Sequence, residues 1–384
     1  MTSTTHDPER GGGIESSKAS DSASVLTIRA IRAVAVEVPM NHVLGTSRAA
    51  VSAAPLLLID LETEEGVTGH AYLFCYLRAA APAIANILEA IEQLVKGDRV
   101  APAELWAKLA KRFTLIGVQG IVRMAMSGLD MAAWDALALA AGSPLGKLLG
   151  GARTSIPAYN SCGLGLKPSA EAVAEEAAKL LAHGFGAVKL RLGYPTLHED
   201  LATVGAVRRR IGEDIALMVD FNQALSVAEA RERGRALDQE NIYWLEEPIR
   251  HDDYAGAAQL SRELKTPIQI GENFSLPAAM ETALTAGASS YVMPDVERIG
   301  GVTGWREAAA LAAAHRIPMS SHLFPEVSAH LLAATPTCHY LEYVDWADPL
   351  LREPLQITNG NAVVPTRPGN GLSWDAAAVR RYRM

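Results

Sequence analysis

Seven side chains able to do chemistry recur through the second half of the sequence: Lys189, Asp220, Glu246, Glu272, Asp295, His322 and Glu342. Each closes a short apolar run, and successive ones are separated by about the length of one strand plus one helix. An isolated Asp or Glu in such a place reads as a solvated strand end or a helix N-cap. A whole succession of them reads as one site. Asp220, Glu246 and Glu272 end consecutive runs and supply three oxygen donors, a hard set suited to Mg²⁺ and unlike the His- and Cys-rich sets that hold zinc. Without a cation or bases those carboxylates would repel one another. Lys189 and Arg191 are two residues apart on a strand and share a face, so an inward-facing pair stands opposite the carboxylates. Asp295 and His322 end neighbouring runs, where a carboxylate can accept the Nδ1 proton of an imidazole and raise its basicity.

Such a set suits removal of a proton from a carbon next to a carboxylate. That carboxylate gains negative charge as the proton leaves, and a divalent cation, Lys189 and a protonated Glu342 can stabilise it. Burial behind Tyr340 and Leu341 is expected to keep Glu342 protonated.

The runs that must position these groups are Ile156 to Ser161, Ala187 to Leu192, Ile215 to Asn222, Ile242 to Pro248, Pro267 to Asn273, Ser289 to Asp295, Pro318 to His322 and His339 to Val344. Alanine-rich helical segments alternate with them, which predicts an α/β fold with a parallel (β/α) barrel over 151–344. An open doubly wound sheet is the competing α/β architecture. In a barrel the C-terminal strand ends converge on one mouth. Residues 25–150 read differently: an alternating β pattern from Val25 to Phe74 predicts a small antiparallel meander. Helical periodicity follows over Ala79 to Val95, Ala103 to Arg112 and Gly120 to Ala141. This α+β domain is expected to be completed by 345–384, whose Asn359-Gly360 and Gly369-Asn370-Gly371 turns do not extend the barrel. Residues 1–24 offer almost no apolar surface and read as a flexible tail.

Composition narrows the partners. The 384 residues are 49% hydrophobic and 20% charged, ordinary for a globular chain, and the net charge of −8 leaves no general basic surface for nucleic acid or an anionic membrane. No apolar stretch is long enough to span a membrane, and no export signal precedes the fold. Cys75, Cys162 and Cys338 are odd in number and widely spaced, which argues against a disulfide framework or structural zinc and for a reducing cytoplasm.

The motifs Tyr72-Leu73-Phe74, Asp130-Met131-Ala132-Ala133-Trp134-Asp135, Asp220-Phe221-Asn222, Glu246-Glu247-Pro248, Gly271-Glu272-Asn273, Ile299-Gly300-Gly301-Val302-Thr303-Gly304-Trp305 and Met319-Ser320-Ser321-His322 resemble the enolase superfamily, and within it the mandelate racemase/muconate lactonizing enzyme family. The resemblance runs from about Val25 to the C-terminus. It implies a modified TIM barrel, (β/α)₇β, with an α+β capping domain. It also implies Mg²⁺ on Asp220, Glu246 and Glu272, and an Asp295–His322 base dyad. Lys189 and Ser161 would contact the carboxylate of a small-molecule substrate, Glu342 would act as the electrophilic acid, and Asn222 would position substrate. Relatives of this kind are often homo-oligomers.

Two departures bear on activity. Where mandelate racemases carry Lys-x-Lys, with the second lysine as a base, this chain has Arg191, and arginine, with a pKa above about 12, is a poor proton acceptor. The segment Leu44 to Val51 aligns with the loop that covers substrate, and Thr46, Ser47 and Arg48 predict a polar or anionic distal group, with Arg48 as a substrate contact. One competent base and a polar cap favour a Mg²⁺-dependent dehydratase of a polyhydroxy acid. The competing reading is a racemase or epimerase of a 2-hydroxy acid such as mandelate. A metal-binding protein without turnover, its site decayed at Arg191, is a third. Phosphate or nucleotide binding through Gly300 to Gly304 is a fourth, although those glycines match neither a P-loop nor GxGxxG.

Overall fold

The computed structural model describes residues 1–2 and 25–384. The tail assigned above to 1–24 therefore lies, but for its first two residues, outside the described residues.

The first unit is a three-stranded antiparallel sheet, β1 (Ile28–Gly45), β2 (Ala50–Thr63) and β3 (Thr68–Phe74), in that order. Alternation in β1 gives it one buried face. The central β2 is buried without interruption from Ala54 to Ile59. Helices α1 (Ala80–Val95) and α3 (Gly120–Ala140) cover that sheet, with α2 (Pro102–Arg112) packed against both of them, and α3 is buried along most of its length because β3 lies on one side and the second unit on the other. Short helix α4 (Leu145–Leu148) leads out of this cap.

The second unit is a closed barrel. Strands β4 (Ser155–Asn160), β5 (Ala187–Arg191), β6 (Ala216–Asp220), β7 (Ile242–Glu246), β8 (Ile268–Ile270) and β9 (Tyr291–Val292) pair in parallel in chain order, and β10 (Leu341–Tyr343) returns to pair with β4. The run from Pro318 to His322 is not a continuous strand. Bridges of Met319 to Val292 and Cys338, and of His322 to Asp295, hold it between β9 and β10. Pro318 has no N–H to donate, so its carbonyl alone reaches Val292, and Pro294 interrupts the facing strand in the same way.

Helices α5 (Ala170–Leu180), α6 (Leu197–Ile211), α7 (Val227–Leu237), α8 (Tyr254–Glu263), α9 (Leu276–Ala286), α10 (Val296–Ile299), α11 (Gly301–His315) and α12 (Pro325–Ala333) connect the strands. Local sequence starts several of them. Thr196 and Ser226 form capping boxes with Glu199 and Glu229, satisfying two orphan amides at each helix start. In the tail, β11 (Ile357–Thr358) and β12 (Asn361–Val363) form a hairpin that pairs antiparallel with β4 of the barrel. Residues beyond it lie on the cap: Asn370 donates to the His70 carbonyl at 2.7 Å and Trp374 Nε1 to Asp60 at 2.9 Å. The last helix, α13 (Ala376–Tyr382), packs on β1.

Cap and barrel are keyed together by buried polar contacts that register the two halves of the site. Phe74 N–H donates to Glu297 at 2.8 Å, Tyr72 Oη to Glu326 at 2.8 Å, and Asp130 on α3 accepts the Thr303 amide at 2.9 Å. The last contact disposes of phosphate binding at Gly300–Gly304. Asp130 occupies the N-terminus of α11, and Gly301, at φ 71°, is the residue whose Cβ would lie 2.4 Å from the Asp130 carboxylate.

Candidate active site

At the barrel mouth, under the cap, lies a cavity of about 260 Å³. Asp220 ends β6, Glu246 ends β7, and Glu272 follows β8 after Gly271, whose φ of 138° turns the chain where a Cβ would crowd the backbone of Met293. One carboxylate oxygen of each of the three lies within 4.8 Å of the others. Lys189 Nζ stands among the acids, 2.8 Å from Glu246, 2.7 Å from Glu342 and 3.6 Å from Asp220. Burial pushes the carboxyls of Asp220 and Glu246 up, Glu246 to about 8, against the pull of Lys189. Three hard oxygen donors that converge in this way fit Mg²⁺, and with no nitrogen or sulfur among them they do not resemble a zinc site.

The expected protonated Glu342 is corrected by its surroundings. Burial would raise its carboxyl, but Lys189 at 2.7 Å, His322, and the Leu323 amide at 2.9 Å hold it well below the usual carboxylate range. Glu342 is ionised in this arrangement, because strand β10 closes the barrel directly beside the lysine of β5.

His322 Nδ1 lies 2.6 Å from Asp295 Oδ2, and the other Asp295 oxygen accepts the Glu297 amide at 2.7 Å. The imidazole is thereby oriented with Nε2 toward the cavity, 3.3 Å from Glu272 and 3.9 Å from Glu342. Burial would depress its pKa, yet the carboxylates of Glu272, Glu342 and Asp295 outweigh burial and push it to about 9. Glu272 in turn is held low by His322 and Arg298 despite its burial.

Arg191 lines the opposite part of the site from a buried position on β5. Its Nη1 donates to the carbonyls of Ser161 at 3.1 Å and Gly163 at 2.7 Å, and its Nη2 to Ser161 Oγ at 2.7 Å. No carboxylate pairs with it among the described residues, and its buried Nε has no partner. Ser161, expected beside the substrate, is fully buried behind this guanidinium and is not in the cavity wall. Asn222 is in the wall: at φ 47° it donates to Asp220 at 2.9 Å and leaves Oδ1 buried and unpaired.

Two polar side chains tie the covering loop to the barrel. Ser47 Oγ donates to the Phe221 carbonyl at 3.0 Å, and the Arg48 guanidinium binds the carbonyls of Asn222, at 3.2 Å, and Gln223. Arg48 still borders the cavity, but its donors latch the loop to the barrel. Leu44, Ala49 and Val51 face inward with Phe74, Leu323 and Trp346. Thr46 and Arg48 border the cavity beside these apolar side chains, so the loop presents both kinds to it. Three wall residues escaped the sequence reading, Tyr76, Arg298 and Trp346. The second lies three positions after Asp295, one helical turn into α10, where the spacing of strand ends gives no signal.

Two family models match the chain: residues 28–150 the mandelate racemase/muconate lactonizing enzyme N-terminal domain, and residues 172–378 the enolase C-terminal domain-like family. The chain is 32% identical to L-talarate/galactarate dehydratase of Salmonella typhimurium LT2 over 85% of its own length and 82% of that protein's. Among solved structures it is similar to an enolase from the alpha proteobacterium bal199 with bound Mg, at 46% identity and TM-score 0.91, covering 94% of this chain and 100% of that one. An enolase from Bradyrhizobium complexed with magnesium and mandelic acid is 41% identical with TM-score 0.89, covering 94% and 99%. No helix among the described residues is long and apolar enough to cross a membrane.

Proposed function

As a member of the mandelate racemase/muconate lactonizing enzyme family of the enolase superfamily, this chain is an enzyme for which we propose Mg²⁺-dependent dehydration of a polyhydroxy (sugar) acid to a 2-keto acid. The observation that carries the reading is the asymmetry of the two faces: an oriented imidazole on one, and a guanidinium pinned by carbonyls and a hydroxyl on the other.

Asp220, Glu246 and Glu272 would hold Mg²⁺, which would supply positive charge to the substrate carboxylate and so make the neighbouring C–H more acidic. Lys189 and Arg191 bind and orient that carboxylate, with Ser161 fixing Arg191 in place. Asn222 Oδ1 accepts from the 2-hydroxyl. His322 Nε2, with Asp295 holding Nδ1–H, takes the proton from C2. The imidazolium then returns that proton to the hydroxyl on C3. The C3–O bond breaks, water leaves, and the resulting enol tautomerises to the 2-keto acid. Glu342, ionised against Lys189, keeps the ammonium aimed at the site. Arg48 holds the covering loop shut and so excludes water.

A second reading, racemisation of a 2-hydroxy acid, is favoured by one observation, the apolar side chains Leu44, Ala49 and Val51 that the covering loop adds to the cavity wall beside Thr46 and Arg48. It requires Arg191 to accept a proton while its guanidinium donates to the carbonyls of Ser161, Gly163 and Lys189 and to Ser161 Oγ. Proton NMR in D₂O with Mg²⁺, a panel of sugar acids and both mandelate enantiomers separates the two. A 2-keto acid with loss of the C2 proton is the expected result; inversion of mandelate without any dehydration refutes it. The reading includes a reducing cytoplasm, in keeping with three free cysteines, and a homo-oligomer, which sedimentation velocity measures.

A further inference from the structure

Four buried polar atoms of cavity-wall residues lack a hydrogen-bond partner: Arg191 Nε, Asn222 Oδ1, Tyr76 Oη and Trp346 Nε1. Native proteins leave few buried polar atoms unpaired, so four around one cavity outline the ligand that fills it. The first two belong to the barrel side and are met by the carboxylate and the 2-hydroxyl of the proposed reaction. Tyr76 and Trp346 are not accounted for in that way. Trp346, its ring 4.9 Å from that of Phe74, offers one neutral N–H. Tyr76 follows β3 by two residues and reaches the cavity from the cap, its ring 4.5 Å from that of Phe74 and covered by the Arg298 guanidinium at 4.6 Å.

Arg298 uses Nη1 on the Glu272 carbonyl, at 3.2 Å, and on Asn273 Oδ1; its Nε and Nη2 have no acceptor among the described residues. The other polar groups on the cap side are already engaged. Thr46 Oγ1 donates to the Ala49 carbonyl at 3.2 Å and accepts two loop amides, and the Arg48 guanidinium latches the loop. Leu44, Ala49, Val51 and Phe74 are apolar. On this side of the cavity the unpaired groups are therefore all donors: Tyr76 Oη beside the Arg298 guanidinium, and the neutral Trp346 Nε1.

We propose that Tyr76 and Arg298 bind a second carboxylate at the far end of the substrate, so that the enzyme selects sugar diacids over the corresponding monoacids. This rests on the proposed reaction, which puts the first carboxylate at Lys189 and Arg191, and adds a requirement on the other end. A hydroxyl there satisfies Tyr76 Oη but leaves the guanidinium facing a neutral group, and an apolar end satisfies neither.

A hexarate and the hexonate of the same configuration differ only at C6 and make the matched pair. Wild-type enzyme is expected to favour the hexarate by roughly 10- to 100-fold in kcat/KM, the range for hydrogen bonds to a charged group. Tyr76→Phe keeps the ring beneath Arg298 and removes the hydroxyl. It is expected to cut that preference by about tenfold, through KM rather than kcat. Equal handling of both acids by the wild type, or a variant that lowers both alike, overturns the anchor. Calorimetric titration of Mg²⁺-loaded His322→Asn with the same two acids reads binding without turnover. Tighter binding of the hexarate supports the anchor even where neither acid is dehydrated, and equal affinities overturn it. Failure of the wild type to dehydrate either acid counts against the proposed reaction alone.

Discussion

Replacing Asp295 with Asn tests the dyad with the least change of shape. In the wild type one Asp295 oxygen holds His322 Nδ1 at 2.6 Å and the other accepts the Glu297 amide at 2.7 Å. A charge-assisted hydrogen bond of this kind is worth about 1.5–3 kcal/mol, or roughly one to two pKa units on the imidazole. That lowers His322 from about 9 toward neutrality. The larger effect is on the tautomer. The new amide has one acceptor, and the Glu297 N–H claims it, so its NH₂ faces Nδ1 and the neutral imidazole must carry its proton on Nε2. An imidazole protonated at Nε2 cannot take the substrate proton there. The expected loss in kcat is about 10²- to 10⁴-fold, with KM changed by no more than about threefold, since Asp295 does not line the cavity. The assay is the initial rate of deuterium entry at C2 in D₂O across pH 6–10. A variant that exchanges within about threefold of wild type throughout that range refutes the assigned role of the dyad.

Chelation and pH should act together on stability. Glu246, raised to about 8, and His322, raised to about 9, both bind protons more tightly folded than unfolded. Their contribution is thus fully present below the unfolded values near 4.5 and 6.5, and is lost as pH rises through 8 and 9. Calorimetric melts with EDTA are expected to fall in temperature from pH 6.5 to 9, and Mg²⁺ should raise the melting point more at pH 8.5 than at pH 5.5; a Mg²⁺ effect independent of pH contradicts this. Glu246→Gln removes one anionic donor while leaving Trp244 Nε1, 3.2 Å away, an oxygen to bind, and Mg²⁺ affinity by titration calorimetry should drop roughly 100-fold. Gly301→Ala strains a left-handed residue and drives a Cβ into Asp130. Urea titration should show a loss of about 2–3 kcal/mol with an unchanged slope, whereas a loss under about 0.5 kcal/mol would mean that Asp130 moves freely.

The sequence by itself determined the barrel, the cap and the spacing of the site. The apolar runs with polar last residues are local patterns, and a parallel barrel turns each run's end toward the same mouth, so Asp220, Glu246, Glu272, Asp295 and His322 were legible one strand at a time. The Thr196 and Ser226 capping boxes are written in four residues each. What only the tertiary structure decided concerns pairs far apart in the chain. Glu342 is ionised because closure of β10 on β4 brings it to Lys189. Arg191 is a fixed clamp because the carbonyls of Ser161 and Gly163 reach it across the β4–β5 edge. Ser47 and Arg48 of the covering loop bind barrel carbonyls, and Tyr76 meets Arg298 only where the cap is docked. Sequence periodicity sets which way a side chain points along its own element. Charge state and hydrogen-bond partners depend on the distances between elements, and burial makes those distances decisive because water no longer screens or satisfies the groups.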